Sequence, residues 1–167
     1  MLNVYKASAG SGKTYRLAYE YIKMLLGRRS NSGPHYQFYN SYNNSHRRIL
    51  AVTFTNKATE EMKQRIVKQL EVLAHHTSKS EYCKDLCKAF NCGEAQLKTQ
   101  AEQVLQQLLH DFSYFNISTI DSFFQQVLRA FAREVGLQGS YDVEMDSDYV
   151  TLAAIEQMFS ELDTNEE

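Results

Sequence analysis

The feature that most limits what this chain can fold into is the run Ala7-Ser8-Ala9-Gly10-Ser11-Gly12-Lys13-Thr14. Ahead of it, residues 2–6 alternate apolar and polar side chains, the pattern of a short strand. Behind it, Leu17, Tyr21 and Leu25 share one helical face with Ala18 and Ile22 beside them, and Gly27 is a stop signal. Strand, glycine-rich loop and helix, in that order, are the context a phosphate loop requires. Glycines let the backbone curl into a nest of N–H groups aimed at one anion, and the helix adds its positive dipole end. Lys13 can reach the β- and γ-phosphates of a nucleotide, and the Thr14 hydroxyl can face Mg²⁺. Ala7 stands where the general G-x-x-x-x-G-K-[ST] form has its first Gly, a position that needs a small side chain. The competing reading is a glycine-rich turn before a helix, a turn that seldom carries Lys-Thr at the helix start.

The rest of the chain repeats the alternation of strand and helix. Residues 30–46 are polar and aromatic, hold the only Pro, and read as a surface loop or insertion. Residues 49–54 form an apolar, β-branched run that predicts a buried strand. Helical spacing follows at Ala58, Met62, Ile66, Leu70 and Leu73, then a short helix at 83–90, then one along Leu97, Ala101, Val104, Leu108 and Phe112. Residues 115–120 predict a third strand. Phe124, Val127, Phe131 and Val135 mark a helix ended by Gly136, and Leu152, Ile155, Phe159 and Leu162 a last one. The expected fold class is therefore α/β: a parallel sheet of about three strands with helices on its faces.

Charge is distributed unevenly. The net formal charge is −2, yet residues 1–48 hold eight Lys/Arg against one acid, and residues 111–167 two Arg against twelve acids. A basic first third permits a phosphate-bearing partner there, and an acidic last third can equally serve to neutralise it. No apolar run approaches the roughly 18 residues of a membrane span, and the start of the chain has no signal-like apolar segment. A cytoplasmic, membrane-free protein is expected. Cys83, Cys87 and Cys92 are an odd set that fits a reducing compartment, and three thiols without a fourth ligand argue against a metal site.

Two further segments carry chemistry. After the strand at 49–54 come Phe54, Thr55, Asn56, Lys57 and Ala58. In an open parallel sheet ligands gather at the carboxyl ends of strands. There Thr55 and Asn56 can donate to a phosphate and Phe54 can stack on a base. Equally, Thr55 or Asn56 serves as a helix N-cap and Phe54 as core. The third segment runs Phe115-Asn116-Ile117-Ser118-Thr119-Ile120-Asp121-Ser122-Phe123-Phe124, where Asp121 or Ser122 suits a helix cap.

Together the three segments resemble the superfamily 1 DNA helicases of the UvrD type, and most of all their RecB/AddA-like helicase-nuclease branch. Residues 7–14 are similar to the family's Walker A motif, which commonly opens on Ala. Residues 49–62 resemble its motif Ia, with the Thr-Asn-Lys-Ala core, and residues 119–124 its motif Ib. The resemblance covers about residues 1–139. It implies the first part of a RecA-like P-loop ATPase domain that moves 3′ to 5′ along single-stranded DNA in recombination and repair. By motif matching, Ala7, Ser8, Ala9, Gly10, Ser11, Gly12, Lys13 and Thr14 hold ATP and Mg²⁺. Phe54, Thr55, Asn56 and Thr119 contact DNA. Asp121 stands where relatives often have His, and a carboxylate repels phosphate, so it is left out of that set.

Hydrolysis in this family also needs an Asp-Glu pair at a strand end, and no apolar run here ends on one. The acidic cluster at 144–148 reads as a cap for the last helix. The expectation is an N-terminal piece of a longer helicase, with residues 140–167 an acidic segment leading onward, joined to downstream helicase domains and a possible partner subunit, and unable to turn over ATP alone. Two other readings compete. One is a small complete P-loop nucleotide or metabolite kinase, which would need lid arginines, whereas only Arg129 and Arg133 follow residue 65. The other is a non-catalytic docking module, which would bind no ATP.

Overall fold

The computed structural model describes residues 4, 12–30, 33–40, 44–132, 134, 136 and 147–163. The chain divides into two compact units, Met1–Phe124 and Gln125–Glu167. The first unit holds α1 (Lys13–Leu26), β1 (Gly27–Arg29), β2 (Tyr36–Phe38), β3 (Ala51–Thr53), α2 (Asn56–His75), α3 (Cys83–Phe90), α4 (Glu94–His110) and β4 (Ile117–Thr119). Then come α5 (Ile120–Ala130), which begins in this unit, and α6 (Ser147–Asp163) of the second.

The core is helical. The apolar stripes expected on α1, α2 and α4 meet there, with Ile22, Leu26, Met62, Ile66, Leu70, Leu73, Leu97, Ala101 and Leu108 all fully buried. Burying side chains of this size is worth about 1.5–3 kcal/mol each, which is what holds three polar-faced helices together. Tyr82 is buried beside them and donates its hydroxyl to the Tyr15 carbonyl at 3.2 Å, which ties the segment before α3 to the first turn of α1.

The expected parallel pairing forms between β3 and β4, in the register Ala51↔Ile117, Val52↔Ser118 and Thr53↔Thr119. Asp111 braces this pair from outside the ladder. Its Oδ2 accepts from Arg47 and lies 2.9 Å from His46 Nε2, both just ahead of β3. Asn116 Nδ2 donates to the Arg47 carbonyl at 3.3 Å. Tyr21 adds an edge-on ring contact with Phe115 at 5.7 Å between centroids.

Two parallel strands are paired among the described residues. Of the other expected strand, at 2–6, all but Val4 lies outside the described residues, and Val4 is exposed. Two further expectations need correction. The loop expected over 30–46 instead carries β2, which pairs antiparallel with β1 just ahead of that range, and the start of a 3-10 turn, Ser45–Arg48. Phe38 stacks on Phe90 of α3 at 4.3 Å with the rings within 5° of parallel, so an aromatic pair on a distant helix supplies what local propensity does not. Finally, the helix expected to reach Val135 stops at Ala130, and Phe112 falls in a 3-10 turn after α4. Val135 lies outside the described residues. The described side chains of α6 are all exposed.

Candidate functional site

The start of α1 has a glycine at the position where a side chain commonly caps a helix. Gly12 is the N-cap, with φ +76°, in the left-handed region that glycine enters without a Cβ penalty. Among the described residues no side chain caps the helix, and no acidic residue sits in its first turn. The first N–H groups of a helix have no partner within it, and they carry the positive end of its dipole. Lys13 and Thr14 follow at once, both exposed. Such a terminus suits a phosphate. Ala7, Ser8, Ala9, Gly10 and Ser11, the rest of the expected loop, lie outside the described residues.

Thr14 borders a polar cleft of about 490 Å³ whose other wall is α2. Arg65 and Lys68, one helical turn apart, face it together with Glu61 and with Glu81 from the segment before α3. Gln69 Nε2 donates to Glu81 Oε1 at 3.1 Å and fixes that carboxylate at the rim. These two cations were not among the residues the sequence pointed to. Their signal was there, two basic residues three apart on the polar side of a helix, but nothing local links them to Thr14. That link comes from α1 packing on α2.

The register of β3 on β4 sets Thr53 beside Thr119, so both strands end at the same sheet edge and their following residues emerge there. The alternatives left open for motif Ia now separate. Thr55 is the N-cap of α2: its backbone is extended and its Oγ1 accepts from Ala58 N at 3.1 Å. Thr53 and Thr59 hydroxyls lie 2.7 Å apart and close the turn from below. Phe54 is not core, since 87% of its surface is exposed. Asn56, the first residue of α2, is exposed beside it.

At the end of β4 the cap is neither Asp121 nor Ser122. Thr119 Oγ1 accepts from Ser122 N at 3.2 Å and lies 2.8 Å from the Ser122 hydroxyl. Thr119 is buried, so its side chain organises the turn into α5, while Asp121 is exposed. The edge thus presents one aromatic ring and an amide, supported by hydroxyls that bond one another.

The cysteines stand apart from this site. All three are free thiols, and burial pushes the Cys83 thiol up to about 11, where it stays protonated. Among the described residues no group of His, Cys, Asp and Glu could hold a metal ion. No helix among them is long and apolar enough to cross a membrane.

Comparison with known proteins identifies a family for the chain. The UvrD/REP helicase N-terminal domain family matches residues 3–167. The RecBCD enzyme subunit RecB of Buchnera aphidicola (subsp. Schizaphis graminum) is 33% identical over 129 residues, 76% of this chain and 10% of that protein. An ATP-dependent helicase/nuclease subunit of Lactobacillus acidophilus is 32% identical over 146 residues, 87% of this chain and 9% of that protein. The RecBCD enzyme subunit RecB of Haemophilus influenzae is 29% identical over 177 residues, 87% of this chain and 14% of that protein. The chain spans about a tenth of the length of these curated relatives.

Proposed function

The chain belongs to the UvrD/REP helicase N-terminal domain family, and from that membership we propose that it is the ATP-binding first part of a RecA-like domain in an ATP-dependent 3′ to 5′ DNA helicase-nuclease of recombination and repair. The observation that carries the reading is the pair of features on the first unit. One is a helix start with a left-handed glycine, no cap and no acid, followed by Lys13 and Thr14. The other is a parallel strand edge that holds Phe54 out in solvent. The first suits the phosphates of a nucleotide and the second suits the bases of a single strand.

The roles follow from chemistry. Lys13 offers a mobile positive charge to the terminal phosphates, and the first-turn amides of α1 offer fixed donors to them. The Thr14 hydroxyl would face Mg²⁺, which neutralises phosphate charge when bound. Arg65 and Lys68, across the cleft from Thr14, add positive charge for the rest of the nucleotide. Phe54 stacks on a base and Asn56 donates to the strand. Neither β3 nor β4 ends on an Asp-Glu pair; each ends on Thr. The groups that would hold Mg²⁺ through water and activate the attacking water therefore do not come from these strand ends, and the isolated chain is expected to bind ATP without turning it over.

A titration of fluorescent ATP with Mg²⁺, alongside a turnover assay with single-stranded DNA, tests this. Saturable binding that Lys13→Ala weakens by about tenfold to a hundredfold, with no turnover, is the expected result. Folded chain that binds no nucleotide would overturn the reading. DNA-stimulated turnover that vanishes in Lys13→Ala would overturn the expected inactivity.

A further inference from the structure

One fully buried side chain touches both walls of the cleft beside Thr14. We propose that Tyr82 is a positioning residue for the nucleotide site: its hydroxyl joins the first turn of α1 to the Arg65 guanidinium on α2, and so sets the phosphate end of the site and its basic wall in register before a nucleotide arrives. The inference rests on the nucleotide reading above and extends it to a residue that reading does not use.

Tyr82, the residue just ahead of α3, is fully buried. Its hydroxyl donates to the Tyr15 carbonyl at 3.2 Å and shares a hydrogen bond with the Arg65 side chain. A guanidinium only donates and a phenol oxygen also accepts, so the bonds run from Arg65 through the Tyr82 oxygen to Tyr15. Burial pushes the hydroxyl up to about 12, with the Arg65 bond pulling the other way, so the proton stays on the oxygen and can be donated. Thr14, adjoining Tyr15, and Arg65 both line the cleft.

The contact is reciprocated. The Tyr15 hydroxyl donates to the Glu81 carbonyl at 3.2 Å, and the Tyr15 and Tyr82 rings lie 4.6 Å apart between centroids. The same segment is pinned to α2. Ser80 Oγ donates to Gln69 Oε1 at 3.0 Å, Gln69 Nε2 to Glu81 Oε1 at 3.1 Å, and Tyr82 N to Ser80 Oγ at 3.2 Å. Residues 80–82 thus bracket the start of α1 and the middle of α2.

A buried phenol needs a partner in any fold, and one acceptor would satisfy it. Two features exceed that need. The acceptor is a helical carbonyl, which serves α1 with one lone pair and Tyr82 with the other. The donor is an arginine exposed on α2, not a buried group in want of a partner. A long exposed side chain loses rotamer freedom when it grips a ligand, and a bond that orders it beforehand lowers that cost. Arginine has several N–H donors, so giving one to Tyr82 leaves others for nucleotide oxygens.

Fluorescent ATP with Mg²⁺, titrated into the full chain, tests the role. Tyr82→Phe keeps the ring and removes only the hydroxyl, and should weaken ATP binding by about threefold to tenfold. Arg65→Gln should weaken it too. The double variant should fall short of the product of the two single losses by about threefold, a coupling that a merely structural role does not produce. Val104→Ala, a truncation beside the core on α4 and away from this cleft, should lower the melting temperature and leave ATP affinity unchanged. Independent losses in the two single variants overturn the proposal, as does a loss of affinity in Val104→Ala equal to that in Tyr82→Phe. Full ATP affinity in Tyr82→Phe, with Lys13→Ala still weakened, overturns it and leaves the phosphate-loop reading standing. A folded wild-type chain that binds no ATP overturns both.

Discussion

Two helices of the first unit close their first turns in opposite ways. α2 caps itself: Thr55 bonds Ala58 N, and Thr53 and Thr59 tie the turn together. Among the described residues α1 has no side-chain cap; a left-handed glycine leads into it and its first turn carries no acid. An N-cap bond is worth about 1 kcal/mol, so leaving it out has a cost that needs a reason. The reason offered by the chemistry is that open amides and an adjacent Lys13 can be completed by an anion, while a self-satisfied start cannot. The self-capped start serves a different end, since a locked turn keeps Phe54 out in solvent rather than letting it fold inward.

The largest effect should come from closing or discharging the open start. Lys13→Ala removes a charged partner of phosphate, worth about 1.5–3 kcal/mol, and should weaken ATP binding by about tenfold to a hundredfold with no loss of melting temperature. Gly12→Asp tests the comparison more directly. Asp tolerates the left-handed region better than most residues and sets a carboxylate against the first amides of the helix. Calorimetry should find stability little changed and ATP affinity lost. A Gly12→Asp protein that binds ATP as the wild type does would remove the distinction between the two starts.

Next in size is Phe54→Ala. A stacked base is worth about 1–3 kcal/mol, so DNA affinity should fall by about tenfold or more. The ring is almost wholly exposed, and its removal should move stability by less than about 0.5 kcal/mol. A drop in stability as large as the drop in affinity would mean the ring packs in solution.

Thr55→Ala reverses that signature. It should cost about 1 kcal/mol of stability and leave ATP binding alone, and Thr55→Gly should cost only a few tenths. Urea unfolding read by circular dichroism gives both numbers. DNA affinity should fall modestly in each, because the turn that presents Phe54 loosens.

Periodicity alone located α1, α2 and α4, because each buries a stripe that recurs every three or four residues. It also located both strands of the parallel pair. It could not find β1 and β2, because three residues are too few for a period to show and β1 begins on Gly27, which reads as a helix stop. What makes the hairpin is the stack of Phe38 on Phe90, a tertiary contact with no local trace. The site divides the same way. Lys13, Thr14, Phe54, Thr55 and Asn56 stood out by residue type and order. Whether Phe54 was core or Thr119 buried depended on packing that no spacing encodes, and Arg65 and Lys68 gained meaning only when α1 brought Thr14 to them.

The smallest predicted effect concerns how each start depends on pH. The turn into β3 is held by Asp111, which bonds Arg47 and His46, so the strand that feeds the capped start of α2 leans on a carboxylate. The Arg47 guanidinium bonded to Asp111 holds its carboxyl below the ordinary value of 3.8, with His46 adding to the shift. A folded-state value below the unfolded one means the unfolded chain takes up the proton first as pH falls. The contribution is thus complete above about pH 4 and fades as pH drops through the depressed folded value. Asp111→Asn keeps an acceptor and loses the charge. It should melt below the wild type at neutral pH, and the gap should shrink as pH falls below the ordinary carboxylate value of about 4. The start of α1 has no carboxylate in its first turn, so hydrogen exchange at its amides should show no such acid dependence beyond the intrinsic exchange rate. A gap that widens in acid, or one shared equally by the amides of α1, would show that Asp111 supports the whole unit rather than the β3 side of it.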